Sequence, residues 1–317
     1  MPDAQSVLVT GGAGFIGSHL VDRLVGEGCK VRVIDNLSTG KLANIQGHLD
    51  NGAVELVKGD IRDHKLVHEC VKDVNAVVHL AAVTSVPLSV KDPAGTFEVN
   101  VAGTLNLVTS SARNKVGKFV FISSCAVYGD PSRLPVAETA PTNPISPYAE
   151  SKLVGEHFCC GFNERLLLKT VCLRLFNVYG LRQAFNDYSG VITLFINRAR
   201  QGLPLTIYGD GSQTRDFVNV HDVVEAILRV MKSDSANGGV FNIGSGKPTS
   251  IAELAKVISE LAGVSPKIKY EAPRSGDIMH SYADISLAKR VFGFKPEFSL
   301  SEGLQVMFPD KGVPVKN

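Results

Sequence analysis

The 317-residue sequence predicts an α/β protein, a doubly wound parallel sheet carrying a smaller C-terminal lobe. Three observations predict it. Short apolar runs alternate with longer amphipathic segments through the first half, the pattern of βαβ units in a sheet covered on both faces. A glycine-rich turn follows the first apolar run directly. After about residue 176 the regularity breaks up into helical patterns among short β-like pieces and Gly/Pro loops.

In chain order, Val7–Val9 reads as the first strand, Gly14–Glu27 as the first helix and Val31–Ile34 as the second strand. Val54–Val57, Ala76–Leu80, Phe119–Ile122 and Thr170–Leu173 follow as short apolar runs of strand length. Helical patterns cover 93–113 and 147–165 between them. Right-handed crossovers then wind the sheet in both directions. Residues 1–176 are expected to form this sheet domain, and 177–317 mainly a lobe closing over its carboxyl edge. Within the second half, helices are expected at 189–201, 221–232, 250–262 and 286–292. The stretch 215–245 is expected to return to the first domain, with Val240–Ile243 as an added strand. The tail from Pro309 is expected to fray.

Composition narrows the class of partner. A net charge of +2 with no long run of Lys or Arg argues against a nucleic-acid or anionic-membrane surface. No apolar stretch reaches the ~18 residues of a membrane span, and the first ten residues lack a leader pattern. A cytoplasmic protein acting on small molecules is the expectation, in which the Asn36-Leu37-Ser38 sequon is silent. The six cysteines form no CxxC pair and suit neither a disulfide framework nor a zinc site.

Thr10-Gly11-Gly12-Ala13-Gly14-Phe15-Ile16-Gly17 stands between the first strand and the first helix. Glycines at 11, 14 and 17 allow a tight turn, backbone access to a pyrophosphate, and close packing of helix on strand. The helix N-terminus adds free N–H groups and a positive dipole end. Asp35 closes the second strand, near the ~20-residue offset at which an acid meets the adenosine ribose of a dinucleotide. A carboxylate there accepts from both hydroxyls and repels a 2′-phosphate, so a Rossmann domain binding NAD rather than NADP is expected. Arg32 lies close in sequence, but strand residues alternate faces.

Tyr148-Ala149-Glu150-Ser151-Lys152 sets a phenol and an ammonium four residues apart on one helix face. A free tyrosine titrates at about 10, so a base active near neutrality needs a shift of about three units, roughly 4 kcal/mol. A neighbouring Lys⁺ and a cationic nicotinamide ring are charges that supply such a shift. Ser124, at the end of the Phe119–Ile122 strand, is placed to hydrogen-bond a substrate hydroxyl and the phenol.

With these motifs the chain resembles the extended short-chain dehydrogenase/reductase family, and within it the UDP-glucose/UDP-N-acetylglucosamine 4-epimerases. The resemblance also rests on Asp35-Asn36-Leu37, Gly59-Asp60-Ile61, His79-Leu80-Ala81-Ala82, Ser123 to Gly129, Arg174 to Gly180, Arg215-Asp216-Phe217 and Arg274-Ser275-Gly276-Asp277. It implies that Asn36, Asp60, Ile61, Leu80, Ala81, Ala82 and Asn100 border the cofactor beside the glycine turn and Asp35. It implies that Ser124, Tyr148 and Lys152 carry the chemistry. Asn177 would touch the sugar diphosphate, Arg215 and Arg274 would hold its phosphates, Tyr208 would cover the uracil and Asp277 the ribose. Thr84 and Val191 complete the substrate residues so implied. A homodimer through the helices at 93–113 and 147–165 is implied as well.

The implied reaction is epimerisation at C4 of a UDP-hexose through a 4-keto sugar. The related 4,6-dehydratases carry an Asp-Glu pair directly after the residue aligned with Ser124, where this chain has Cys125 and Ala126. The UDP-glucuronate decarboxylases usually carry Glu where Ala126 stands. Ser281 occupies a position that is bulky or small in related epimerases, and a small residue admits an N-acetyl group. Ser85-Val86-Pro87 resembles the N-acetyl-preferring branch, and Thr84 departs from a Lys found in some glucose-preferring members. Another NAD-dependent nucleotide-sugar reaction, or a non-catalytic NAD-binding protein, remains the alternative. His64 and His68 are read as surface histidines rather than metal ligands, His79 as a core histidine and Cys125 as a packing residue.

Overall fold

The computed structural model describes residues 5–165, 167–185, 190–263, 267–273 and 276–308. The first half builds strands β1 (Ser6–Thr10), β2 (Lys30–Asp35), β3 (Val54–Lys58), β4 (Ala76–His79), β5 (Lys118–Ser124) and β6 (Thr170–Leu175). Between them run α1 (Phe15–Gly26), α2 (Gln46–Asp50), α3 (His64–Cys70), α4 (Val86–Lys91), α5 (Pro93–Phe97), α6 (Gly103–Arg113) and α7 (Pro147–Glu164). The second half adds β7 (Asn177–Tyr179), β8 (Leu205–Tyr208), β9 (Thr214–Arg215), β10 (Phe217–Asn219), β11 (Val240–Ile243), β12 (Thr249–Ser250) and β13 (Ile268–Glu271). Its helices are α8 (Val191–Arg200), α9 (Val220–Lys232), α10 (Ile251–Ala262), α11 (Ser286–Phe292) and α12 (Leu300–Gln305).

The central sheet runs β11-β6-β5-β4-β1-β2-β3, and every neighbouring pair is parallel. The chain winds one way from β1 to β3 and the other way from β4 onward. The reversal opens a crevice beyond the carboxyl ends of β1 and β4. Val240–Ile243 does join the sheet, with Val240 opposite Cys172 and Ile243 opposite Leu175.

Alternation along β1 divides the core. Val7 and Val9 pack with Leu20, Leu24, Val223, Ile227 and Phe294 on the face covered by α1, α9 and α11. Leu8 packs with Val67, Leu107, Phe121 and Cys159 on the face covered by α3, α6 and α7. The core of the central sheet thus takes in α9, β11 and, beyond what the sequence suggested, α11, while β10 pairs with β7 and divides its side chains, Val218 toward this core and Phe217 toward that of the lobe. The C-terminal lobe has its own core, in which Ile192, Phe195, Leu205, Ile207, Leu254 and Leu304 pack around the parallel pair β8–β13.

The helix expected over 93–113 is interrupted. Asp92 caps α5 by accepting from Gly95 N at 3.0 Å, and Glu98–Ala102 form a widened π turn before α6. A 3.6-residue pattern does not register one inserted residue, and such bulges recur at functional sites. His64 and His68 both sit on α3, at 2.8 Å from Asn106 Oδ1 and 3.3 Å from Asn114 Nδ2 respectively. Among the described residues, no three His, Cys, Asp or Glu side chains group as metal ligands, and no helix is long and apolar enough to cross a membrane.

The join of α1 to β1 depends on missing side chains, because a Cβ on Gly17 would overlap the Gly11 carbonyl. Gly17→Ala is expected to lower stability by about 2–4 kcal/mol, read as a lower denaturant midpoint with an unchanged slope.

Candidate active site

A cleft of about 530 Å³ lies over the carboxyl ends of the central strands. One end is built by the glycine turn. Gly11 adopts φ of 71°, and a Cβ there would press on Ala81 N at 3.0 Å. Glycine therefore lets the Leu80–Ala82 segment pass directly against the turn. Gly14 precedes α1 without any side-chain cap, so the first-turn N–H groups at Phe15, Ile16 and Gly17 remain available along the cleft wall. Uncapped donors at a helix N-terminus, in a cradle that side chains would fill, fit a dinucleotide pyrophosphate.

Asp35 is 7% exposed at the end of β2. Its Oδ2 accepts from Ala13 N at 3.0 Å and its Oδ1 from Leu37 N at 2.8 Å. Each oxygen keeps a lone pair for a ribose hydroxyl. Arg32 is turned away, binding Glu55 at 2.7 Å and the Cys70 and Lys72 carbonyls at 2.9 and 3.1 Å. Asn36, Asp60 and Ile61 continue the wall beyond Asp35, with Leu80, Ala81 and Ala82 also among its residues. Hydrogen bonds from Arg62 hold the Asp60 carboxyl below the usual carboxylate range.

Asn100 does not itself line this wall. It is 2% exposed behind it, where Oδ1 accepts from Val83 N at 2.8 Å and Nδ2 donates to Val83 O and Ser151 Oγ, each at 2.9 Å. The π turn points the amide inward, so Asn100 braces Val83, and Val83 faces the cleft.

The wall also holds residues that sequence reasoning missed. Lys41 N and Asn44 Nδ2 both donate to Ala13 O, at 3.0 and 2.9 Å, folding residues 36–44 back over the glycine turn. Ser38, Thr39, Lys41 and Asn44 thereby line the cleft, as do Arg182, Gln183 and Gly190 from the segment after β7. They sit in loops without periodicity, and nothing local marks them.

At the other end stand Ser124, Tyr148 and Lys152. Ser146 caps α7 by accepting from Ala149 N at 3.2 Å, and Pro147 opens the first turn. Tyr148 and Lys152 then lie one helical turn apart on the cleft side. Burial pushes the Tyr148 phenol up to about 12, against the pull of a hydrogen bond from Ser124. Burial likewise pushes the Lys152 ammonium down to about 8. Its Nζ donates to Ile122 O at 2.8 Å and stands 5.1 Å from the Phe121 ring centre. The charge of Lys152 by itself thus leaves the phenol protonated at neutral pH. Cys125, raised to about 12 chiefly by burial, is a thiol rather than a nucleophile. His79, between Thr10 Oγ1 at 2.7 Å and Thr104 Oγ1 at 2.9 Å, is held neutral, its pKa pushed down to about 3 by burial.

Of the residues implied for a substrate, Thr84, Ser124 and Tyr148 line this cleft. Val191 begins α8 directly after the cleft residue Gly190. Asn177 is exposed at the start of β7, its N–H donating to Asp216 O at 3.0 Å. Arg215 and Asp277 are brought together as an ion pair of 2.6 Å. Tyr208 ends β8 opposite Glu271, and its carbonyl accepts from Gln213 Nε2 at 2.7 Å. Arg274 lies outside the described residues. Ser281, buried outside the cleft wall, donates its N–H to Thr214 O at 3.2 Å, next to Arg215.

Asp35→Asn should weaken NAD binding about tenfold, ~1.4 kcal/mol, and NADP binding less, because the 2′-phosphate no longer meets a carboxylate. Parallel calorimetric titrations with the two dinucleotides measure both changes.

Comparison with known proteins agrees with this geometry. Residues 7–244 match the model of the NAD dependent epimerase/dehydratase family. The chain is 42% identical over 301 residues to a putative UDP-glucose 4-epimerase of Methanocaldococcus jannaschii, covering 94% of this chain and 96% of that protein. It is 37% identical over 310 residues to UDP-glucuronic acid decarboxylase 4 of Arabidopsis thaliana, covering 96% of this chain and 68% of that one. Among solved structures it superposes on a UDP-N-acetylglucosamine 4-epimerase from Methanobrevibacter ruminantium, in complex with UDP-N-acetylmuramic acid. The TM-score is 0.92 at 39% identity, over 96% of this chain and 97% of that chain. The glycine cradle, the acid at the end of β2 and the Ser-Tyr-Lys cluster therefore sit on a chain that belongs to the NAD dependent epimerase/dehydratase family.

Proposed function

We propose that the protein interconverts UDP-hexoses that differ in configuration at C4, using NAD and a transient 4-keto sugar. One observation carries this reading. Among the described residues lining the cleft, the only carboxylates are Asp35 and Asp60. Asp35 ends β2, three strands from the Ser124 end of β5 in the sheet order, or about 14 Å at ~4.8 Å per strand. Elimination of water across C5–C6 needs an acid and a base beside the sugar, and Cys125 and Ala126 provide neither. Asp216 acts on Cys125, but its oxygens accept from Ser245 N and Ser245 Oγ at 2.6 Å and from Gly246 N and Ala283 N at 3.0 Å. Epimerisation asks only that the 4-hydroxyl give up its proton and C4 its hydride, and that both be returned.

When bound, NAD supplies the hydride acceptor and donor and a cationic ring beside Tyr148. Tyr148 takes the 4-hydroxyl proton, directly or through Ser124, and later returns it. Since burial holds its phenol near 12, the proton-accepting form requires positive charge added to that of Lys152. Arg215, preset by Asp277, is proposed to hold the diphosphate together with Arg274. Asn177, Val191, Tyr208, Asp277 and Thr84 are proposed along the rest of the nucleotide sugar. A diphosphate tether leaves the keto sugar free to turn its other face. The small Ser281 beside Thr214 supports acceptance of N-acetylated substrates. A homodimer through α6 and α7 belongs to the same reading, with Leu105 on α6 41% exposed.

Incubation with UDP-galactose and with UDP-N-acetylglucosamine should yield the 4-epimer of each without net NADH, resolved by chromatography. Tyr148→Phe should lower the rate at least about 100-fold while NAD stays bound. UDP-glucuronate should release no CO2; its decarboxylation would replace the epimerase reading with that of the plant relatives.

A further inference from the structure

One turn beyond Lys152, on the same side of α7, lies Glu156, which is 2% exposed. Arg174 on β6 grips its carboxylate with Nε at 2.9 Å from Oε1 and Nη2 at 2.6 Å from Oε2, and the Ser123 hydroxyl donates to Oε1. Arg174, 6% exposed, donates from Nη1 to the Tyr128 hydroxyl at 2.9 Å, and Tyr128 donates to Asn242 Oδ1 on β11 at 2.7 Å. Buried ion pairs of this kind contribute little net stability compared with apolar residues of equal volume. Its location is what distinguishes this one. The carboxylate joins the helix that carries Tyr148 and Lys152 to Ser123, whose neighbour is Ser124.

We propose that Glu156, held by Arg174 and Ser123, is a positioning residue that keeps Lys152 an ammonium and fixes its turn of α7 against the end of β5. The inference rests on the reading of Tyr148 and Lys152 as the proton-handling pair. The charged and titratable groups that act on Lys152 are Glu156 from α7 and His79 from β4, with Arg174 of β6 behind Glu156. His79 is neutral, and Arg174 is committed to the carboxylate. Burial lowers Lys152, and Glu156 is the group that opposes it. Without that carboxylate the ammonium loses its proton nearer neutrality, and the phenol loses the cation beside it.

The test uses the charge-balanced double variant Glu156→Leu/Arg174→Met, which strands no buried charge, with Glu156→Asp as the conservative control and Ser123→Ala as a milder cut. Two readouts are taken on NAD-loaded protein: the pH profile of kcat, and Tyr148 ionisation by ultraviolet difference against a Tyr148→Phe partner in each background. The double variant should fold, its alkaline limb should move down by about one pH unit, and its Tyr148 midpoint should rise. Glu156→Asp should restore both, and Ser123→Ala should shift the Tyr148 midpoint in the same direction by less. A folded double variant with both midpoints unmoved overturns the proposal. If it does not fold, an unmoved Tyr148 midpoint in Ser123→Ala overturns it instead. Because Tyr148 ionisation is read without turnover, a parent chain that epimerises nothing sinks the proposed function and leaves this inference to be decided separately.

Discussion

The peptide unit of Ala13, pressed between the end of β1 and the start of α1, is the contact on which the cofactor end of the molecule depends. Its N–H reaches Asp35 Oδ2, and its carbonyl accepts from both Lys41 N and Asn44 Nδ2. Asp35 and the strap over residues 36–44 are thereby referenced to one turn of backbone. That turn exists because a side chain at Gly17 would overlap the Gly11 carbonyl, and one at Gly12 would overlap Val33. The glycines that permit this packing lose more conformational freedom on folding than other residues would, and leave in return a cradle of uncapped N–H groups.

At the reactive end a single cause acts on two groups in opposite senses. Burial raises Tyr148 and lowers Lys152, so both are driven toward their neutral forms. A low-dielectric site of this kind makes each imported charge count strongly. The site's own groups supply the hydrogen bonds that orient the two side chains: Ser124 bonds the phenol, and the Ile122 carbonyl accepts from the ammonium.

Geometry at that end is kept by packing as much as by polar contacts. A Cβ on Gly155 would overlap the Phe121 ring, so α7 lies unusually close to β5. The same ring sits under the Lys152 ammonium. The Glu156–Arg174 pair then ties the helix to β6, and Tyr128 and Asn242 extend the tie to β11, a strand contributed by the distant second half of the chain. The returning segment is therefore hydrogen-bonded, through Tyr128 and Arg174, to the helix that carries Tyr148 and Lys152.

What the sequence determined by itself was local. The strands around the glycine turn, Asp35 at the end of β2 and the Tyr148–Lys152 spacing were legible because each is set by periodicity or by steric need within a few residues. The capping box at Ser299 and Glu302 that starts α12 was equally legible, though overlooked. Strands of two or three residues such as β7, β9, β10 and β12 carry no pattern, since two alternations do not distinguish a strand from a loop. Tertiary structure alone decided that α11 packs on the sheet, that Asn100 stands behind the wall, and that Lys41 and Arg182 line the cleft. It also decided the charge balance of Tyr148 and Lys152 and the pairing of Glu156 with Arg174 across 18 positions of sequence. Burial and long-range electrostatics depend on which surfaces meet, and one strand of text contains no distances.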